Sequence, residues 1–280
     1  MQVIRLAVSL EMKLGSIQLL LFGALCPILA QAQSPDLNGI AHLAFRVSDL
    51  EASGAFYNKL GFEQAFELTK DGRTTEAFVK VNDRQFIELY PNIGTESSPI
   101  GLMHFCFEAA NLQALNDEYV RRGLDPSPVR KAGAGNLLFT LHNPEKQLLE
   151  YTQYMPGSMH SKDRGKHLGS RRISQHLAGA SLAVADRPSE RAFYNQKLAF
   201  EPESGADPYA LLLPGHSGEK LKLVSASESG KTTVFFTVAD LKAAAEYLRS
   251  QGLVVKTQSA VISVTDPDGN SIVFTIDGRP

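Results

Sequence analysis

Apolar and polar positions along Gly39–Val47, GIAHLAFRV, place Ile40, His42, Ala44 and Arg46 on one face of a strand and Ala41, Leu43, Phe45 and Val47 on the other. The second face is wholly apolar and is the natural seat of a helix. The helix follows at once. Ser48-Asp-Leu-Glu51 reads as a capping box, with Ser48 closing the helix start and Glu51 reaching back to it. Leu50, Ala52, Ala55, Phe56 and Leu60 supply an apolar stripe at helical spacing, and Gly61 suits the stop. His42 is left on the opposite face among mostly apolar neighbours.

The arrangement recurs. Strand-plus-helix starts fall near residues 39, 101, 177 and 232, and AFYNQKLAFE in the third echoes AFYNKLGFE in the first. In the second, Asn111 caps a helix whose Leu112, Leu115, Tyr119 and Val120 are expected to face the sheet. Alternating segments with turn residues follow each helix, among them 74–81, 85–90, 137–142, 147–152, 210–213, 220–224, 261–265 and 271–276. The pattern predicts an α+β fold of four βαβββ units.

Laying the first unit on the second at an offset of 62 residues puts His42 on His104 and Glu88 on Glu150. The same shift puts Arg46 on Glu108 and Tyr90 on Thr152. Glu88 lies between Ile87 and Leu89, and Glu150 follows two leucines. A glutamate in such a setting is either paired, metal-bound or the outward residue of a half-solvated strand. If the two units join edge to edge into a cup, all four side chains point to its centre. Imidazole and carboxylate together suit one divalent ion (Zn, Ni, Co, Mn or Fe) without selecting among them.

Four such units, with His and Glu on the first and last strands of two of them, resemble the vicinal oxygen chelate (VOC) superfamily. That superfamily includes glyoxalase I, methylmalonyl-CoA epimerase, extradiol dioxygenases and the fosfomycin- and bleomycin-resistance proteins. Asn143-Pro-Glu-Lys146 resembles its Asp-Pro-x-Gly turn with lysine for glycine, and Asp266-Pro-Asp-Gly269 keeps that turn intact. The resemblance implies units paired into two glyoxalase-like cups, with metal ligands His42, Glu88, His104 and Glu150.

The resemblance is greatest to glyoxalase I, which carries four such ligands; in that version, the expected one, Glu88 or Glu150 moves a proton on a chelated enediolate, as in a lyase or isomerase. An Fe(II) extradiol dioxygenase needs only His42, His104 and Glu150, with positions open to a catecholate and oxygen. A non-catalytic small-molecule binder is the third reading. Cup-face candidates for substrate contact are Ala44, Arg46, Phe86, Tyr90, Cys106, Glu108 and Thr152. Cys106 is expected to be a buried thiol near the cup wall and not a ligand.

The second half lacks the ligands: Gly179 or Ser181, Lys222, Thr233 and Val273 stand in their places. It reads as a degenerate copy. Gathering all four ligands in one cup requires the first unit to pair with the second. The expected domains are therefore 37–154, with the metal site, and 176–280. Residues 155–175, rich in Gly, Ser, Lys and Arg, read as a solvated linker that carries His160 and His167 without ligand-like framing.

Residues 1–32 read as a signal peptide: Arg5 and Lys13 precede an apolar run, and Ala30-Gln-Ala32 offers a cleavage site. The expected destination is periplasmic or secreted, with no membrane span in the mature chain. Of two cysteines only Cys106 would survive processing, which excludes an intrachain disulfide. A formal charge of −2 and no basic stripe argue against nucleic acid as a partner. A small-molecule substrate and a second copy of the chain remain as the expected partners.

Overall fold

The computed structural model describes residues 37–276 except 94–98, 206, 228 and 229. The expected export segment lies outside these residues. The first unit is β1 (Leu37–Val47), α1 (Leu50–Lys59), β2 (Glu63–Lys70), β3 (Arg73–Lys80) and β4 (Phe86–Pro91). The second is β5 (Gly101–Ala109), α2 (Leu112–Arg121), β6 (Arg130–Lys131), β7 (Leu137–His142) and β8 (Leu148–Gln153). A short helix, α3 (Met159–Asp163), interrupts the connection. The third unit is β9 (Leu177–Val184), α4 (Arg187–Leu198), β10 (Glu201–Pro202), β11 (Ala210–Leu212) and β12 (Lys220–Ser225). The fourth is β13 (Thr233–Val238), α5 (Leu241–Ser250), β14 (Lys256–Gln258), β15 (Val261–Thr265) and β16 (Ser271–Ile276).

These strands form two eight-stranded sheets, ordered β2-β3-β4-β1-β5-β8-β7-β6 and β10-β11-β12-β9-β13-β16-β15-β14. Neighbouring units are thus paired, the first with the second and the third with the fourth. Each seam joins two opening strands antiparallel, β1 to β5 and β9 to β13, and each opening strand also runs parallel to the last strand of its own unit. The register repeats: Glu88 lies opposite Ala44, and Glu150 opposite Cys106. In the second sheet Lys222 lies opposite Ser181 and Val273 opposite Phe235. Gly179, two residues before Ser181, is therefore the counterpart of His42. At its φ of +148° a Cβ would lie 2.0 Å from the Lys220 carbonyl oxygen, so no side chain fits there.

The helix starts depart in detail from the pattern reading. Asp49, not Ser48, caps α1, its carboxylate accepting from the Ala52 N–H at 3.0 Å. The buried stripe of α1 is Ser53, Phe56 and Tyr57, while Ala55 is exposed. Asn111 caps α2 as its sequence implies, but Val120 is 55% exposed and Glu118 is buried in its place. Gly61 ends α1 at φ 81°, pressed so close to the connection that a Cβ would lie 2.3 Å from the Arg171 carbonyl oxygen.

The two halves share one apolar core, in which Phe62 meets Phe236 at 5.3 Å and Phe107 meets Phe200 at 5.6 Å. They also hold each other's helix starts. The Glu145 carboxylate, in the turn before β8, accepts from the N–H groups of Ala185 and Asp186 before α4. Reciprocally, the Asp268 carboxylate, in the turn before β16, accepts from the N–H and hydroxyl of Ser48 before α1. Ser48 is thus bound to the other half instead of closing its own helix. Glu219 adds a clasp, accepting from the Ile40 N–H and from Gln85 Nε2.

The connection 155–175 is not the solvated linker its composition suggests. Ser158, His160, Asp163 and Ser174 are buried in it. Lys80, itself wholly buried, reaches the Asp163 carbonyl and carboxylate oxygens at 2.7 Å each. A buried ammonium must be paired, and this pair clamps α3 to the first sheet. Among the described residues no helix is long and apolar enough to cross a membrane.

Candidate metal centre

The seam of the first sheet sets His42 on β1 beside Cys106 on β5. His104 lies two residues earlier on β5, and Glu150 on β8 is aligned with Cys106. Three donor atoms, one each from His42, His104 and Glu150, lie within 4.8 Å of one another. Nε2 of His42 is 3.1 Å from Nε2 of His104 and 3.7 Å from Oε1 of Glu150. Both histidines are buried. Burial lowers both imidazole pKa values, that of His104 to about 3, so both rings are neutral and carry lone pairs.

Glu88 takes a different place. Its Oε1 lies 2.9 Å from Nδ1 of His42, across the ring from the other donors. A carboxylate accepting the Nδ1–H leaves the lone pair of Nε2 facing His104 and Glu150. The set turned toward a common point is thus two imidazoles and one carboxylate, and Glu88 orients one of the imidazoles. Two imidazole nitrogens and a carboxylate oxygen that converge in a buried space fit a divalent cation.

Glu150 is held from below by the Cys106 thiol. Burial, and then the Glu150 charge, push that thiol up, so it stays an S–H donor. Behind Glu88 stands Glu76 of β3, hydrogen-bonded to it, with the Tyr90 hydroxyl 3.3 Å from Glu88 Oε2. Burial, then the Glu88 charge, raise Glu76 to about 8. Burial, then the Glu150 charge, raise Glu88 to about 8. Two carboxyl groups bonded to each other in this way share a proton.

A cavity of about 210 Å³ opens beside His42, Glu88 and Glu150 and is also lined by Glu76, Asn136 and His160. Of the expected substrate contacts, Tyr90 and Thr152 line it. Cys106 is fully buried behind Glu150 and supports that ligand. Phe86 is fully buried with Phe78 and Ala134 beneath the wall. Glu108 sits at another cleft, bound by Arg84 at 2.7 Å, because its strand has run past the cup by that point. Arg46 is buried, and it and Ala44 lie outside the cavity lining. Glu76, Asn136 and His160 are cup residues that pattern reading passes over. Glu76 shares a strand face with Phe78, which was a usable signal.

The Glyoxalase/Bleomycin resistance protein/Dioxygenase superfamily model matches residues 39–151. No curated protein sequence matches the chain. Among solved structures, the 2,3-dioxygenase LapB from Pseudomonas sp. KL28 superposes at a TM-score of 0.64 and 17% identity, over 88% of this chain and 94% of that one. The Mn(II)-bound glyoxalase from Novosphingobium aromaticivorans gives 0.65 and 15%, over 87% and 83%. Homoprotocatechuate 2,3-dioxygenase from Brevibacterium fuscum gives 0.62 and 16%, over 88% and 84%. At these identities the likeness is one of fold.

Proposed function

We propose, from the match of residues 39–151 to the Glyoxalase/Bleomycin resistance protein/Dioxygenase superfamily model and from the cup's geometry, a metal-dependent oxygenase of extradiol type, acting on a small substrate with two neighbouring oxygens. The observation that carries this reading is the division of labour between two equivalent glutamates. Glu150 joins His42 and His104, while Glu88 is spent on Nδ1 of His42. Two histidines and one carboxylate, with positions left open, are the donor set of non-haem Fe(II) oxygenases.

When bound, such an ion supplies chelation of the two substrate oxygens and activation of dioxygen. The chain's own residues do the rest. Glu88 fixes the tautomer and orientation of His42. Cys106 holds Glu150 from the buried side. Leu68, Phe78 and Leu138 give the cavity the apolar part of its wall. The Glu76–Glu88 pair holds a proton next to the cup.

The test is oxygen uptake by the Fe(II)-loaded chain with catechol, together with the yellow colour of a ring-opened product. One oxygen consumed per ring opened supports the reading. No uptake, with isomerisation of a glutathione hemithioacetal by the Ni(II)- or Zn(II)-loaded chain, replaces it with the lyase reading. That second reading is favoured by the buried Glu88 carboxylate, which stands where glyoxalase I carries its fourth ligand. Failure to hold any metal leaves the binder.

We also propose export. The charged start, apolar run and Ala30-Gln-Ala32 of the first 32 residues support it. The intact mass of the chain recovered from outside the cytoplasm should correspond to a start at Gln33. A chain that keeps all 280 residues there overturns the cleavage.

A further inference from the structure

The wall of the cup holds a buried hydrogen-bond donor that has no partner among the described residues. His160, on α3, is 5% exposed and lines the same cavity as His42 and Glu150. Its ring is stacked on Tyr154 at 4.9 Å and meets Phe66, Phe78 and Phe86 edge-on at 4.9, 5.3 and 4.8 Å. The helix under it is fixed by the Lys80–Asp163 pair and by the Met159 N–H bonded to the Ala134 carbonyl at 2.9 Å. The imidazole is therefore held in one place before any ligand arrives.

Its tautomer follows from the neighbours. The Met155 N–H donates to Oδ1 of Asn136 at 3.1 Å, which fixes the direction of that amide. Nδ2 of Asn136 must then donate to Nδ1 of His160, 2.9 Å away, so Nδ1 carries the lone pair. Burial, first of all, keeps the ring neutral, its pKa lowered to about 3. A neutral imidazole with a lone pair on Nδ1 has its hydrogen on Nε2. Among the described residues that Nε2 is buried and has no partner. Of the side chains that line the cavity, His160 alone has a buried polar atom in this state. Leaving a buried donor unpaired is unfavourable, and an acceptor on a ligand removes that cost.

The space is sufficient. An apolar cavity of about 150 Å³ holds benzene, and the cup offers about 210 Å³. We propose that His160 is a specificity-determining residue, whose Nε2–H receives an acceptor oxygen at the end of the substrate remote from His42, His104 and Glu150. The substrate class is then an aromatic vicinal diol that bears a carbonyl-type substituent. This rests on the oxygen-chelating reading above and deepens it.

The test is calorimetric titration of the full, Fe(II)-loaded chain without oxygen, using two probes. Catechol carries only the chelating pair, and 3,4-dihydroxyacetophenone adds a carbonyl. His160→Phe keeps the stacked ring and removes the donor. The expected result is about a tenfold loss of affinity for the acetophenone, or 1.4 kcal/mol, less than a twofold loss for catechol, and unchanged iron content. Equal losses for both probes, or no loss for the acetophenone, overturn the assignment. Should the phenylalanine variant not fold, His160→Asn decides the matter, since its shorter amide withdraws the donor: the acetophenone preference disappears if the proposal holds and survives if it does not. Wild-type protein that holds iron but binds neither probe refutes the chelating reading itself, and the assignment falls with it.

Discussion

Glu88 stands behind His42, its Oε1 2.9 Å from Nδ1, while Nε2 of the same ring faces His104 and Glu150. One imidazole thus connects two carboxylates with different tasks. Glu88→Gln should keep one metal per chain and weaken its binding about 10–100-fold, the usual cost of losing a partner behind a ligand. Glu150→Gln should abolish stoichiometric binding. Titration with Mn(II) under competition from a chelator separates the two, and equal effects would return Glu88 to the ligand set.

The buried titratable groups predict a stability optimum for the metal-free chain. Glu76 and Glu88 are raised from 4.5 to about 8, so the folded chain holds protons that the unfolded chain has lost. Their contribution is fully present below about 4.5 and is lost as pH rises toward about 8. His104 and His160 are lowered from 6.5 to about 3, so their contribution is present above 6.5 and is lost as pH falls toward about 3. The two trends oppose each other between 4.5 and 6.5. The Tm in EDTA should therefore fall from pH 6.5 to 8 and again below 4.5. Saturating Mn(II) should flatten the alkaline limb, because a cation favours ionised carboxylates. A Tm that rises from pH 6.5 to 8 in EDTA contradicts this.

Five described non-glycine residues have a positive φ, among them Lys146 at 65° and Ala199 at 62°. The first unit has Gly61 where the third has Ala199. The left-handed conformation costs a residue with a Cβ about 1–2 kcal/mol. Each change to glycine should raise stability, by about 1 kcal/mol or less once the greater freedom of the unfolded chain is counted, and the double change should be additive. Thermal melts of the three variants check this, and a lower Tm for Ala199→Gly would count against it.

Asp49 is the α1 cap and Ser48 is not. Asp49→Ala should cost about 1 kcal/mol. Ser48→Ala should cost less, because the Ser48 N–H still reaches Asp268. Urea unfolding measures both, and the reverse order would restore the serine cap.

The fold was legible because its signals are periodic. The expected strands 261–265 and 271–276 match β15 and β16 to the residue. The convergence of His42, His104 and Glu150 was legible because both histidines recur at one offset, together with Glu88 and Glu150. The direction of Glu88 was not legible, since alternation gives a face and not a rotamer. Glu76 lies on that same face, but its place in the second unit holds Leu138, so no repeat drew attention to it. The burial of His160 depends on Lys80 finding Asp163 across 83 residues of chain, a tertiary event that local composition cannot carry.

The exchanged turns bear on which mutations the second half can tolerate. Its Lys222, Thr233 and Val273 stand where the first half has Glu88, His104 and Glu150 without forming such a cluster, so a cup sets no demand on their identities, whereas Gly179 admits no side chain. Asp266-Pro-Asp-Gly269 has no such freedom, because Asp268 fixes the start of the helix that follows His42. The turn beside the ligands departs from its pattern at Lys146, whereas the turn of the ligandless half keeps its pattern whole. A saturation map of this chain should therefore show a permissive floor in the empty cup and an intolerant hinge at its rim.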